Sequence, residues 1–102
     1  MNRRQKGRRT ALKVRKWLEE QGFCVEGTER SSRYGPKDIW AADLIAIRDD
    51  ELFAIQVKSN RSDRSRGRRD LRESPWPSSV RRVLIVWENY AREPITEFVP
   101  RE

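Results

Sequence analysis

Asp43 opens, and Gln56 and Lys58 close, the run DLIAIRDDELFAIQVKS at residues 43–59, whose other charges gather at its centre. A carboxylate, an amide oxygen and an ammonium are the parts of a site for phosphodiester hydrolysis. Asp43 can hold a divalent cation through oxygen, and the Gln56 carbonyl can add a neutral oxygen ligand. Lys58 can position an attacking water or stabilise negative charge developing on a phosphate. The same three residue types also make an Asp–Lys ion pair at a strand end with an incidental amide, so spacing alone leaves both readings open.

A hairpin would bring the three together. The segments ADLIAIR and ELFAIQVK are apolar at nearly every position, as strands are when both faces of a sheet are covered. A turn at Asp49-Asp50 pairs Arg48 with Glu51, Ile45 with Ala54 and Asp43 with Gln56. Alternation then puts Asp43, Gln56 and Lys58 on one face, at the end away from the turn. Ile45, Ile47, Leu52 and Ala54 continue that face as an apolar surface on which the N-terminal helix is expected to pack.

Around the hairpin, residues 1–9 (MNRRQKGRR) read as a basic flexible arm and residues 10–102 as a single domain. Leu12, Val14, Trp17 and Leu18 form a helical stripe over about residues 9–21, with Thr10 as N-cap and Gly22 at the stop. FCVEGTE is a first strand with Phe23 and Val25 inward, RSSRYGPK a loop, and the Arg-rich stretch after Lys58 a loop leading into a short helix. SPWPSS breaks the chain before the strong strand VRRVLIVWENY and the weaker edge strand PITEFVP. The order α-β-β-β-(α)-β-β predicts a small α/β domain with a mixed sheet of about five strands flanked by helices. Trp17 and Trp87 are expected in the core. Trp40 and Trp76 lie beside loop signals, where each could stack on a base, meet a partner chain or simply pack.

Composition narrows the chemistry. There are 23 Lys and Arg against 16 Asp and Glu, a net charge of +7, which implies an anionic partner, nucleic acid first. Arg4, Lys6, Arg8 and Arg9, then Arg30, Arg33 and Lys37, then Arg61, Arg64, Arg66, Arg68 and Arg69 flank the trio and are expected to hold backbone phosphates. No apolar run is long enough to span a membrane. The single cysteine, Cys24, between Phe23 and Val25, reads as a small buried residue in a reducing, cytoplasmic setting. The chain contains no histidine, which removes His-containing zinc sites, Ser-His-Asp triads and imidazole bases together.

Asp43 followed by Gln56-Val57-Lys58 resembles the signature of the PD-(D/E)XK nuclease superfamily, an aspartate on one strand and a (D/E/Q)-x-K pair on the next. The opening QKGRRTALKVRKWLEEQGFCV resembles that of archaeal-type Holliday-junction resolvases, as does SRGRRDL after the lysine, whereas the QxK form is similar to that of Mrr-type restriction endonucleases. The resemblance implies a restriction-endonuclease-like fold and a homodimer. It also implies an endonuclease that uses Mg²⁺, with Mn²⁺ as a substitute, on branched or duplex DNA, and no small-molecule cofactor. Asp43, Gln56 and Lys58 would be catalytic, with the metal on Asp43 and Gln56. The chain departs from the resolvases at Ala11, which stands where their helix carries a metal-binding glutamate; Asp38 is the carboxylate nearest to compensating. That departure keeps open an alternative, a catalytically impaired nuclease fold acting as a DNA- or RNA-binding or regulatory module.

Overall fold

The computed structural model describes residues 3–28 and 39–101. Asp38, Arg30, Arg33 and Lys37 lie outside the described residues.

Helix α1 runs Arg3–Glu20, so it begins at Arg3 and not near residue 9. The boundary expected between a basic arm and the domain falls inside it. Arg, Lys and Gln are good helix formers, and a helix already nucleated adds such residues at little cost. Thr10 is accordingly no N-cap: its hydroxyl donates back to the Lys6 carbonyl at 2.9 Å, a bond made within a helix. The helix stops where the sequence predicts. Gly22 takes φ 92°, and the amides of Gly22 and Phe23 donate to the carbonyls of Glu19 and Leu18 at 3.1 Å each, the paired bonds of a Schellman cap.

Strands β1 (Cys24–Gly27), β2 (Leu44–Arg48), β3 (Glu51–Lys58), β4 (Arg81–Val86) and β5 (Ile95–Val99) form one sheet in chain order. All neighbours are antiparallel except β3 and β4, which are parallel. That parallel pair needs a crossover, supplied by a 3₁₀ turn at Arg61–Asp63 and helix α2 (Arg64–Glu73). The β2–β3 register is the expected one, with Arg48 opposite Glu51 and Ile45 opposite Ala54. Asp49 and Asp50 turn the corner with φ 52° and 64°, the left-handed pair that suits the twist of a two-residue hairpin.

The two helices cover opposite faces. Val14 and Leu18 of α1 pack with Leu44, Ala46, Phe53, Ile55, Val83 and Ile85, and Trp87 meets Trp17 edge-to-face at 5.8 Å. This is the face opposite to Gln56 and Lys58, so α1 does not lie on the surface of Ile45, Ile47, Leu52 and Ala54 as expected. Leu71 of α2 instead covers the Gln56 side, packing with Leu84, Val86 and Val99. Both faces of β2 and β3 are apolar, and hydrophobicity therefore could not say which helix takes which. Cys24 is exposed, against expectation. It sits on edge strand β1 opposite the half-exposed Ile47, where α2, packed on β3, β4 and β5, does not reach. Among the described residues no helix is long and apolar enough to cross a membrane.

The turn yields a prediction. Left-handed backbone is unfavourable for residues with a Cβ, so Asp50→Gly should raise the unfolding free energy by about 1 kcal/mol in urea titrations, with the m-value unchanged.

Candidate active site

Strand β2 starts at Leu44, one residue after Asp43, and this decides where the aspartate goes. Its amide donates to the Ile55 carbonyl at 2.8 Å. Its carboxylate, through Oδ2, accepts the Val57 amide at 2.9 Å. Continuing the ladder would offer Val57 the Ala42 carbonyl, but that oxygen already accepts from the Thr28 hydroxyl and from the Ile39 amide. The Asp43 side chain thus takes over as ladder partner where the backbone departs. It binds the residue that lies between Gln56 and Lys58.

Gln56 is buried at 4% exposure, and its Oε1 is the one buried side-chain oxygen or nitrogen without a hydrogen-bond partner among the described residues. Such a group costs free energy unless something binds it. Gly67 of α2 lies directly over it. A Cβ built at Gly67 would stand 3.0 Å from Gln56 Oε1, 3.0 Å from Leu84 Cδ1 and 3.3 Å from Lys58 Cε. Glycine here is a close-approach residue, as an isolated glycine in an otherwise helix-forming run can signal.

Helix α2 is held at both ends. At its C-terminal end the buried Arg82 of β4 donates Nε to the Leu71 carbonyl at 2.8 Å, and Nη2 to the carbonyls of Ser74 (3.0 Å) and Trp76. Toward its other end Arg68 grips Glu97 of β5 through two nitrogens, and Arg64 Nε donates to Glu97 Oε1 at 2.9 Å. The Arg68 hydrogen bond first, with help from Arg64 and against the effect of burial, lowers the Glu97 pKa to about 2. Arg82 and Glu97 escaped the sequence reading. Alternation along VRRVLIVW does force one of the paired arginines onto each face, which is the signal that an arginine lies inside.

Lys58 opens into a cleft of about 360 Å³ whose polar lining includes Lys6, Ser59, Asn60, Asp63 and Arg66. The start of α1 closes one side: Lys6 Nζ donates to Asn60 Oδ1 at 3.0 Å, and the Thr10 and Ser59 hydroxyls meet at 2.7 Å. Since Thr10 donates its proton to Lys6, Ser59 is the donor in that pair.

No protein-family model and no curated protein matches the chain. Among solved structures, the 1.6 Å structure of Hjc, a Holliday junction resolvase from the archaeal hyperthermophile Archaeoglobus fulgidus, matches with a TM-score of 0.62. The match covers 92% of this chain and 76% of that one at 16% identity. The fold is restriction-endonuclease-like.

On this fold the expected basic residues separate into four groups. Lys6 and Arg66 join Lys58 at the cleft. Arg8 and Arg9 are exposed on α1, and Arg4 lies in its first turns. Arg61 and Arg69 are exposed and pair with Glu88 and Asp70 at 3.3 and 3.8 Å. Arg64 and Arg68 differ, because Glu97 already engages their guanidinium groups. The oxygens that could hold a cation are those of Asp43 and Gln56 Oε1, hard donors of the type Mg²⁺ takes, and the unpartnered Gln56 oxygen is compatible with such a role. Among the described residues no three acidic or thiol side chains gather.

Two predictions test this frame. Gly67→Ala gains about 1 kcal/mol of helix preference but meets an overpacking cost of about 1–3 kcal/mol. The net in urea unfolding should be a loss of about 1 kcal/mol, reduced in a Gln56→Ala background. For Glu97, the folded pKa of about 2 lies below the ordinary 4.5, so its contribution to stability is whole above pH 4.5 and disappears as pH falls toward 2. Thermal melts of Glu97→Gln should therefore diverge from wild type above pH 4.5 and converge with it as pH approaches 2.

Proposed function

We propose that the domain is a metal-dependent endonuclease that hydrolyses phosphodiester bonds of structured DNA, in the manner of a Holliday-junction resolvase. The observation that carries this reading is the Asp43 carboxylate on the amide of Val57, which with Lys58 lines a basic cleft. The similarity to a solved Holliday junction resolvase supports it at the level of fold.

Asp43 and Gln56 would hold Mg²⁺ or Mn²⁺, which when bound supplies charge stabilisation at the phosphoryl group. The Lys58 ammonium, half-buried at the cleft, orients the attacking water and offsets charge on the phosphate oxygens. Lys6 and Arg66 hold a flanking phosphate. Asp38 would add a second carboxylate in place of the glutamate that Ala11 lacks. A homodimer would let two such clefts address paired strands.

One observation favours a second reading. Gln56 Oε1 lies under Gly67, and Ala11 contributes no carboxylate, as a nuclease fold retained for binding alone would have it.

The deciding experiment incubates the protein with a four-way junction, a linear duplex and single-stranded RNA, in Mg²⁺ or EDTA, beside Asp43→Asn and Lys58→Ala. Mg²⁺-dependent cutting of the junction is expected, lowered about a hundredfold or more by each variant. If no substrate is cut while the junction is bound tightly, the binding-module reading replaces the enzyme; if both variants cut as well as wild type, the site lies elsewhere.

A further inference from the structure

We propose that Trp40 is a stacking platform for an unpaired nucleobase, so that the domain prefers DNA carrying an unstacked base at a gap, bulge or fork. The inference rests on the nucleic-acid reading above and deepens it by naming the substrate class.

Trp40 is 58% exposed, and the structure holds it that way. Its ring meets Trp76 at 5.2 Å with an interplanar angle of 84°, and Trp76 Nε1 donates to the Trp40 carbonyl at 3.0 Å. In an edge-to-face pair, whichever ring supplies the edge, Trp40 keeps at least one face that Trp76 does not cover. The backbone is strained to present it: Trp40 and Ala41 have φ 45° and 68°, two consecutive left-handed residues, neither of them glycine. Reciprocal hydrogen bonds between Ile39 and Ala42, at 2.8 and 3.2 Å, close the loop, and Ala42 is fully buried beneath it. A rigid, preset indole loses little freedom when it captures a ring.

Its position suits a base near the proposed scissile phosphate. Trp40 lies three positions before Asp43, a reach of at most about 11 Å. That is about three base steps at the 3.4 Å spacing of a strand. Trp76 packs with Ala54, Ile45 and Leu52, on the sheet face that carries Gln56 and Lys58. Arg66, Arg69 and Arg72 line one groove along α2, which leads from the Lys6–Lys58 cleft toward the helix end that Trp76 follows. A basic groove running along the helix toward the segment that supports an exposed aromatic suits single-stranded nucleic acid, the arginines taking phosphates and the ring taking a base. The same charge disfavours a basic protein as the occupant.

The test measures binding in EDTA, where cutting is absent, of two duplexes of equal length, one fully paired and one with a single-nucleotide gap, with 2-aminopurine opposite the gap. Wild type, Trp40→Ala and Trp40→Tyr are compared after melts show that each is folded. Wild type should favour the gapped duplex by about tenfold and quench its 2-aminopurine; Trp40→Ala should lose both effects while binding the paired duplex within about twofold of wild type, and Trp40→Tyr should keep most of the preference. Equal preference in wild type and Trp40→Ala, or no preference in wild type, overturns the platform and leaves the nucleic-acid reading standing. A change confined to the mass of the protein in solution overturns it in favour of a protein contact. Failure of wild type to bind either duplex removes the nucleic-acid reading, and the platform with it.

Discussion

Helix α2 lies closest to this sheet at residue 67, where glycine puts no side chain in the way. A Cβ there would stand 3.0 Å from Gln56 Oε1 and Leu84 Cδ1 and 3.3 Å from Lys58 Cε, so a larger residue has to displace side chains of the proposed site. The Arg82 guanidinium at one end and the Arg68–Glu97 fork toward the other hold the glycine down on that spot. Everything on that face follows from the arrangement: the burial of Gln56, the emergence of Lys58 into the cleft, and the placement of Arg66 beside it. A buried arginine is costly to desolvate, and Arg82 is supplied with carbonyl acceptors in return.

Asp43 shows how a structural role and a chemical one can share a residue. As ladder partner for Val57 it satisfies an amide that the strand ending leaves exposed, which by itself explains a carboxylate at this position. The unpartnered oxygen of Gln56 has no such explanation. A buried amide oxygen that meets no donor among the described residues is destabilising, so Gln56, more than Asp43, is where the fold carries a cost that function would account for.

The hairpin was legible because the two-residue turn fixes the pairs from Arg48–Glu51 to Leu44–Ile55; the expected Asp43–Gln56 pair is not made, because the strand ends at Leu44 and Asp43 turns its amide to Ile55 and its carboxylate to Val57. The face covered by α1 was not legible. Strands β2 and β3 are apolar on both sides, and a pattern with no contrast carries no direction. The start of α1 was missed because Gly7 and the run of arginines look like an arm, whereas arginine is itself a good helix former and a long helix absorbs one glycine. Gly67 and Arg82 lay in plain view as an odd glycine and an odd arginine; what each touches depends on elements far apart in the chain. Cys24 looked buried because its neighbours are apolar, and edge strands are where that inference fails.

The order of elements along the chain sets an order of assembly. Asp43, Gln56 and Lys58 belong to a local hairpin that can form as soon as its strands are made. The groups that seat α2 over them, Arg82 and Glu97, come from the last two strands. A nascent chain would thus display its chemistry early, on an open sheet face, and acquire the finished cleft only when β4 inserts alongside β3 and β5 closes the edge. Completion of the site then reports on completion of the whole fold, and damage near the far end of the chain would be felt at Lys58.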